Sequence, residues 1–258
     1  MVMREWDLRR YECIDSTNLE ARRLLERGAR AGLVVTARHQ TAGKGRLGRN
    51  WVDLPGKSLI VSLVLGDVAP FAAAALVAVS ARAAVVCLGG EGPLFKWPND
   101  LVYGRRKVGG ILSEAYDGEG GRCVVVGLGM NVAYLPEELR LSSKLPPTSL
   151  LIEEGTFFSV DELLHALLRE LEERCSRDGD RVWDEYRRHL AYVGRRVRVE
   201  NYTLHPEGPR DGRCPPADAR GEDRLEGLLA GIDERGNLLV QAEGETYRLL
   251  SGDLIPLP

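Results

Sequence analysis

The chain has 258 residues, of which 28% are charged and 44% hydrophobic, and its formal net charge is −3. This length fits one sizeable core with a smaller appendage, and the composition is that of an ordinary globular protein, which excludes disordered and fibrous classes. The small net charge gives no overall attraction to nucleic acid or anionic lipid, although it allows a local basic site.

The cysteine pattern and the first ten residues indicate the cellular compartment in which the protein works. The cysteines are odd in number, scattered and without C-x-x-C spacing, which argues against both a disulfide framework and a structural zinc. They are Cys13, Cys87, Cys123, Cys175 and Cys214. Residues 1–10 are charged and lack the apolar segment of a signal peptide. We therefore expect a cytoplasmic protein.

The first half of the chain predicts helices and strands in alternation. Residues 15–28 predict a helix with Thr17 as its N-cap, Glu20 as the capping-box partner and Gly28 as its end. Residues 32–40 and 58–65 are strand-like. The alanine-rich run at 71–90 contains Arg82, and it predicts a buried core helix over 71–88 instead of a membrane span.

The middle of the chain continues this mixture. Residues 94–103 and 107–116 predict two strands joined by a short Gly-Arg-Arg turn, and residues 122–132 predict a further strand. Residues 159–177 predict an amphipathic helix that begins at Ser159, with Glu162 in capping-box spacing, and a second helix is expected at 181–190. Mixed periodicities of this kind are typical of an α/β or α+β domain.

The pattern changes after Gly194. Short alternating runs separated by glycine-containing turns predict a small β-barrel. Residues 202–224 are rich in proline, glycine and charge, and they predict a long exposed loop within this barrel.

The segment HQTAGKGRLGRNW (39–51) has the composition of an anion-binding loop. Its glycines allow backbone N–H groups to converge on an oxyanion, and its three cations can neutralise a polyphosphate. A P-loop is excluded, because that motif needs a glycine at the position of Arg38 and a serine or threonine at that of Gly45. The alternative is a solvated basic turn.

Two further segments are ambiguous by themselves, and the histidines show no metal-site pattern. VGLGMNV (126–132) fails as a dinucleotide fingerprint, because Val132 takes the third glycine position; its glycines could serve close packing alone, which leaves the role of Asn131 open. Ser16, Thr17 and Asn18 could do no more than cap a helix. The four histidines (39, 165, 189 and 205) lack metal-ligand spacing, and no G-x-S-x-G or H-E-x-x-H motif occurs.

KWPNDLVYGRRKVGG (96–110) concentrates charge around a strand break. Lys96 and Lys107 could be solvated strand ends, but Pro98 interrupts the ladder where Asn99 and Asp100 stand. Mg²⁺ at nucleotide sites often takes only one or two protein carboxylates, so Asp100 is a candidate ligand.

Together and in order, these motifs resemble the catalytic domain of biotin–protein ligases. The matching residues are D-S-T-N at 15–18, Q-T-A-G-K-G-R-L-G-R at 40–49, K-W-P-N-D at 96–100 with Lys107 and G-G-I-L downstream, and G-L-G-M-N at 127–131. The resemblance covers nearly the whole chain. It implies an α+β protein, with a mixed-sheet biotin- and ATP-binding domain at 1–190 and an SH3-like β-barrel at 191–258.

The resemblance also implies an activity and its partners. The family attaches biotin to a lysine of the biotin carboxyl carrier domain of a carboxylase, using ATP and Mg²⁺ and forming biotinyl-5′-AMP. About fifteen residues precede D-S-T-N, so the chain resembles the monofunctional type without an N-terminal DNA-binding domain. We expect neither DNA nor membrane as a partner, and we expect a homodimer formed through a sheet edge, as is common in the family.

Residue roles follow from the resemblance by position. Lys107 and Arg46 are implied as the catalytic residues. The implied biotin-binding residues are Ser16, Thr17, Asn18, Gln40, Lys44, Gly45, Arg46 and Lys107. The implied ATP- and adenylate-binding residues are Arg46, Arg49, Trp51, Lys96, Asn99, Asp100 and Asn131, with Asp100 also as the Mg²⁺ ligand.

One position departs from the family pattern. Lys44 stands where an arginine is usual, so the charge is kept but the planar two-donor fork is lost. Three alternatives remain at this stage: a lipoate ligase of the same superfamily, a biotin-responsive transcription repressor, and a biotin-binding module without catalysis.

Overall fold

The computed structural model describes residues 6–118, 121–139, 145–175, 179–205 and 224–258. The chain forms two compact units. The first comprises Met1–Leu94 and Asn99–Val182, and the second comprises Phe95–Pro98 and Trp183–Pro258. The second unit thus begins eight residues before the predicted domain boundary at 191 and takes in a short segment from the middle of the chain; the boundary between folding domains stays a prediction.

Sixteen helices and strands are referred to below. They are, in chain order, β1 (Asp7–Tyr11), α1 (Thr17–Glu26), β2 (Leu33–Ala37), β3 (Ser58–Leu65), α2 (Pro70–Cys87), β4 (Leu94–Lys96), β5 (Asp100–Tyr103), β6 (Arg106–Gly118), β7 (Gly121–Asn131), α3 (Leu150–Glu154), α4 (Val160–Cys175), α5 (Gly179–Arg188), β8 (Arg196–Leu204), β9 (Arg224–Ile232), β10 (Leu238–Ala242) and β11 (Glu245–Pro256).

The first unit is built on a mixed sheet in which β1, β2, β3, β7, β6 and β5 are neighbours in that order. β1 and β2 are parallel, and the other pairs are antiparallel. Helix α1 packs against β2, β3 and β7, whereas α2 packs against β6, β7 and α4. Every residue of β2 and β3 is buried. A strand covered on both faces reads as a continuous apolar run, which is why residues 58–65 predicted β3 without error in its bounds.

The apolar run at 71–90 forms α2, which is buried at Ala73, Val77, Ala81 and Val85, among others. Within the described ranges, α2 alone is long and apolar enough to cross a bilayer, and 56% of it is buried inside the protein. The prediction of a core helix is confirmed, because α2 packs between the sheet and α4.

Two local predictions are wrong. Ser16, not Thr17, is the N-cap of α1, and its side chain makes no capping hydrogen bond. The predicted strand 94–103 is two strands, β4 and β5, separated by residues 97–99, since Pro98 has no N–H to donate to a ladder. Strand β1 and helix α3 were not predicted, because neither shows a clear periodicity over so few residues.

The second unit contains an antiparallel closed barrel with the order β10, β11, β8, β9. Val197, Val199, Leu238, Val240 and Leu249 fill it, each at 0% exposure. The predicted small β-barrel is confirmed. Within this unit the indole N–H of Trp97 donates to the carbonyl of Gly236 at 3.1 Å. The predicted loop at 202–224 lies outside the described residues from 206 to 223.

Candidate functional site

Glycines form the floor of the candidate site on β6 and β7. Gly110 and Gly129 are paired across these antiparallel strands, and Gly127 lies two residues before Gly129 on β7. Paired residues point to the same face of a sheet, as do alternate residues of a strand. These three glycines therefore leave a patch without side chains on one face of the sheet.

Larger side chains occupy the space above these glycines. A Cβ added at Gly127 would lie 2.3 Å from Asn18 Oδ1, and one added at Gly129 would lie 2.6 Å from Trp51 Cε2. At Gly110 it would lie 3.3 Å from Lys107 Nζ. Asn18, Trp51 and Lys107, which are far apart in sequence, therefore meet over the same face of the sheet.

The start of α1 supplies a buried polar network. Gln40 Oε1 accepts hydrogen bonds from the Thr17 N–H at 2.7 Å and from the Thr17 hydroxyl at 3.1 Å. The Ser62 hydroxyl lies 2.8 Å from Thr17 Oγ1 and 2.6 Å from Asn18 Oδ1. Asn18 Nδ2 donates to Glu114 at 2.9 Å. The interpretation of these side chains as helix caps is thus wrong for Thr17 and Asn18, because both bond to distant residues.

These groups are desolvated. Ser16 is 2% exposed, Thr17 3%, Asn18 4% and Gln40 8%. Buried polar groups must be hydrogen-bonded to avoid a cost of roughly 1–3 kcal/mol each, so the network fixes the orientations of Thr17, Asn18 and Gln40. The Gln40 amide in particular is held with Oε1 toward Thr17.

The glycine-rich segment forms a loop closed by its own backbone. Trp51 N–H donates to the Gly43 carbonyl at 2.9 Å, and Gly45 N–H donates to the Arg49 carbonyl at 2.7 Å. A 3₁₀ turn at Arg46–Gly48 lies at its tip. Lys44 and Arg49 are exposed on this loop, whereas Gly43 is packed so tightly that a Cβ there would lie 2.8 Å from Gln40 Nε2.

The two cations predicted to be catalytic meet at adjacent residues. Arg46 Nη1 donates to Asn99 Oδ1 at 3.0 Å, and Lys107 Nζ lies 2.6 Å from Asp100 Oδ1. Asn99 is in turn held by its Nδ2, which donates to the Ile111 carbonyl at 2.9 Å. The segment after Pro98 thus supplies a partner to each cation, and the catalytic role of Arg46 and Lys107 stays a prediction.

Partial burial strengthens this electrostatic site. The Lys107 side chain is 23% exposed and that of Asp100 is 13% exposed. Charges in such partly desolvated surroundings interact more strongly than in bulk water, because the effective dielectric constant is lower.

The last two residues predicted to bind the nucleotide, Asn131 and Lys96, belong to different units of the chain. Asn131 is 9% exposed and its Nδ2 donates to the Thr148 carbonyl at 2.9 Å. Lys96 is 7% exposed and belongs to the second unit. No group of three or more His, Cys, Asp or Glu side chains that could hold a metal occurs in the part of the chain that the structure describes.

Four residues of the site were missed. Ser62 and Glu114 orient Asn18, while His39 and Asp53 lie at the ends of the glycine-rich loop. The only signal for Ser62 was a polar residue inside the apolar run 58–65. The others are ordinary surface residue types, and their partners are 13 to 96 residues away.

Comparisons with known proteins identify the family of the chain. The model of the biotin/lipoate A/B protein ligase family matches residues 11–131. The biotin--[acetyl-CoA-carboxylase] ligase of Mycobacterium tuberculosis is 30% identical over 240 residues, which are 88% of this chain and 79% of that protein. The ligase of the same name from Paracoccus denitrificans is 39% identical over 161 residues, which are 59% of this chain and 66% of that protein.

Solved structures show the same fold. The biotin protein ligase of Aquifex aeolicus, in complex with biotin and ATP, superposes with a TM-score of 0.74 at 24% identity and covers 99% of each chain. The mixed sheet and the four-stranded barrel are therefore those of the biotin and lipoate ligase fold with an SH3-like module. With the sequence relatives, this places the protein in the class of carboxylic-acid ligases; the chain belongs to the biotin protein ligase family.

Proposed function

We propose that the protein is a biotin–protein ligase that uses ATP to attach biotin to one lysine of a biotin carboxyl carrier domain. The observation that carries the proposal is the convergence of Arg46 and Lys107 on Asn99 and Asp100 beside the glycine floor. The names of the relatives, which specify biotin and acetyl-CoA carboxylase, support the choice of substrate and partner.

The first half-reaction explains the paired cations. A biotin carboxylate oxygen attacks the α-phosphorus of ATP, an O–P bond forms, and pyrophosphate leaves with the electron pair of the broken bond. Two anions must approach each other, so Arg46 and Lys107 would stabilise the charge that grows on the α-phosphate. Removing such a preorganised donor commonly costs about 3 kcal/mol in the transition state.

The polar network at the start of α1 suits the head of biotin. A ureido ring needs a few fixed donors and acceptors inside an otherwise apolar pocket. Ser16, Thr17, Asn18 and Gln40 are the proposed contacts, and Ser62 and Glu114 would hold them in place. Lys44, Gly45 and Arg46 would cover the bound acid from the loop.

The second half-reaction needs no nucleophile from the enzyme. The amine of the carrier lysine attacks the carbonyl carbon of biotinyl-5′-AMP, an amide bond forms, and AMP leaves. The intermediate must be kept from water until then, which suits a loop that covers it and Trp51 at the wall of the pocket. Loss of the arginine fork at Lys44 would weaken this retention if that side chain contacts phosphate directly.

The nucleotide contacts are assigned by the family pattern. We propose that Arg49, Trp51, Asn99 and Asn131 line the ATP and adenylate site. Asp100 is the candidate Mg²⁺ ligand, and its pairing with Lys107 leaves too few protein oxygens for a cage of protein ligands. The residues fit an ion that arrives with the triphosphate and keeps its water ligands, as Mg²⁺ at nucleotide sites usually does.

Transfer of labelled biotin tests the proposal. The protein is incubated with radiolabelled biotin, ATP, Mg²⁺ and an apo carrier domain, and label in the carrier is counted. We expect ATP-dependent labelling of one lysine, with lipoate a far poorer substrate in the same tube. A preference for lipoate would assign the protein to the other branch of its family, and biotin binding without AMP release would identify a non-catalytic module.

The proposal extends to the setting of the protein. We propose a cytoplasmic enzyme that acts without DNA, although the 29% identical relative from Escherichia coli is a bifunctional ligase/repressor of which the chain covers 71%. A gel-shift experiment with the protein's own promoter region should be negative. We further propose a homodimer, which light scattering during size-exclusion chromatography would detect.

A further inference from the structure

The glycine-rich loop is pinned where it leaves the sheet. Residues 38–57 connect the antiparallel strands β2 and β3. The Gly56 N–H donates to the Arg38 carbonyl at 2.9 Å, so the two ends of the connection lie side by side. Between them and the tip, Asp53 makes two further links to the opposite end of the loop.

Asp53 reaches across the base of the loop. Its Oδ1 accepts from the Gln40 N–H at 3.2 Å, and its Oδ2 lies 2.9 Å from His39 Nδ1. The Asp53 side chain is 0% exposed and that of His39 is 32% exposed. A buried carboxylate is tolerated only when donors satisfy it. Both partners lie 13 or 14 residues upstream, so this carboxylate joins two chain segments and does not cap its own turn.

The residue after Asp53 is anchored as well. The Leu54 N–H donates to the Tyr134 hydroxyl at 2.7 Å, and that hydroxyl lies 3.0 Å from Ser58 Oγ. Burial raises the pKa of Tyr134, so it stays a neutral phenol that can accept and donate. The downstream end of the loop is therefore attached to the sheet. Because Asp53 also bonds to His39 and Gln40, it holds the upstream end close to this attachment.

The upstream end carries a residue of the proposed biotin site. Asp53 holds the backbone of Gln40, and Thr17 holds its side-chain oxygen. With Oε1 so fixed, Nε2 is directed toward Gly43, where an added Cβ would lie only 2.8 Å away. A change in the backbone at Gln40 would therefore move both the amide donor and the first glycine of the loop.

We propose that Asp53 is a positioning residue. Together with His39 it joins the two ends of the loop at 40–52, a link that we call the clasp. The clasp thereby fixes the orientation of the Gln40 amide that would contact the carboxylic-acid substrate. Its consequence for biotin and for the acyl-adenylate rests on the function proposed above. The clasp itself is a property of the folded chain without any ligand, and so it can be tested separately.

Limited proteolysis tests the clasp without substrate. Trypsin can cut the loop after Lys44, Arg46 or Arg49, and mass spectrometry identifies the fragments. In Asp53→Ala we expect cleavage at these sites to be about tenfold faster than in the unsubstituted protein, because the loop base has lost its cross-link. Equal cleavage rates would overturn the proposal.

Asp233 supplies the matched control. It is also a well-buried carboxylate, with its side chain 10% exposed; it accepts from the N–H groups of Arg235 and Asn237 at 2.9 Å and lies 3.1 Å from Arg248 Nε, so its contacts are in the second unit and away from the loop at 40–52. Asp233→Ala should lower the melting temperature without faster cleavage at 44–49. If it accelerates this cleavage as much as Asp53→Ala, general destabilisation explains the result and the proposal fails.

Kinetics test the positioning role. For Asp53→Ala we expect the KM for biotin to rise about tenfold while kcat at saturating biotin changes less than about threefold. Asp53→Asn should recover part of the loss, because its amide oxygen can still accept from the Gln40 N–H. Equal falls of kcat in Asp53→Ala and Asp233→Ala, or no recovery in Asp53→Asn, would contradict positioning.

A failure of the proposed function and a failure of the clasp can be told apart. If the unsubstituted protein transfers no biotin, the proposed function fails, while the trypsin comparison still decides about the clasp. If Asp53→Ala does not fold, His39→Ala takes its place, because Asp53 then keeps only the Gln40 link. His39→Ala should give cleavage faster than the unsubstituted protein, and unchanged cleavage would overturn the proposal.

Discussion

The start of α1 and the glycine-rich loop lie over the same sheet face but are held in opposite ways. At the start of α1, buried side chains bond to one another, and Thr17 and Asn18 are 3% and 4% exposed. The loop is closed by backbone hydrogen bonds, and its apolar residues Leu47 and Val52 are 72% and 70% exposed. Side-chain contacts with the core make a rigid recognition surface, whereas a loop with few such contacts can open locally at low cost.

The two regions would therefore serve different steps of the proposed reaction. The rigid region would select the acid, because its donors and acceptors are set before binding. The loop would retain the activated intermediate, because only a segment that opens can admit ATP and then exclude water. Substitutions in the two regions should therefore affect different steps.

Lys107→Ala should have the largest effect. Lys107 lies over Gly110 on the rigid face and is not part of the loop. We expect ATP–pyrophosphate exchange to fall by at least about 100-fold, while the Kd for biotin changes by less than about tenfold. Calorimetry and exchange assays on the same preparation measure both quantities. Retained exchange would reject Lys107 as a group that stabilises the α-phosphate.

Arg46→Gly should weaken the retention of the adenylate in addition to slowing its formation. Arg46 donates to Asn99 from the loop tip, so its loss leaves the rigid face intact. We expect biotinyl-5′-AMP to escape and to label lysines of a bystander protein such as serum albumin. Arg105→Gly, in the β5–β6 turn, is the control. Trapping of the adenylate as tightly as in the unsubstituted protein would count against the division of labour.

Gly129→Ala should disturb the contact between the two regions. An added methyl would lie 2.6 Å from the Trp51 ring, which overpacks the site and costs roughly 1–3 kcal/mol of stability. Urea unfolding measures this cost, and the KM values for biotin and ATP should both rise. Gly121→Ala, at the start of β7, is the control without a steric clash, because nothing lies within 4 Å of the added methyl, although its φ of 94° adds a backbone strain that Gly129 lacks. Equal KM changes in both variants would refute the steric explanation.

Acid should weaken the rigid region slightly. Hydrogen bonds from Arg23 hold the pKa of Asp15 below its ordinary value of 3.8. The folded state thus binds this proton less readily than the unfolded state, so the contribution is present above pH 3.8 and is lost as pH falls through the lower folded pKa. Asp15→Asn should flatten the pH dependence of the unfolding free energy in this acid range only. The Asp15 side chain is 37% exposed, so the effect is small.

Much of the fold could be predicted because its signals are local. Residues 58–65 predicted β3, residues 159–177 predicted α4, and the alternating runs after Gly194 predicted the barrel. The motif residues Thr17, Gln40, Arg46 and Lys107 could be named from the family pattern before any contact between them was known.

The sequence by itself determined where apolar runs begin and end and which motifs the chain carries, because these depend on neighbouring residues. Only the tertiary structure decided that Thr17 bonds to Gln40, that Asn18 rests on Gly127, and that Asp53 joins the two ends of the loop. Such contacts form between segments distant in the chain, and no local propensity encodes them. The strand break at Pro98 was visible in the sequence. The contacts that follow it, Arg46 with Asn99 and Lys107 with Asp100, depended on how β6 and the loop pack around this segment.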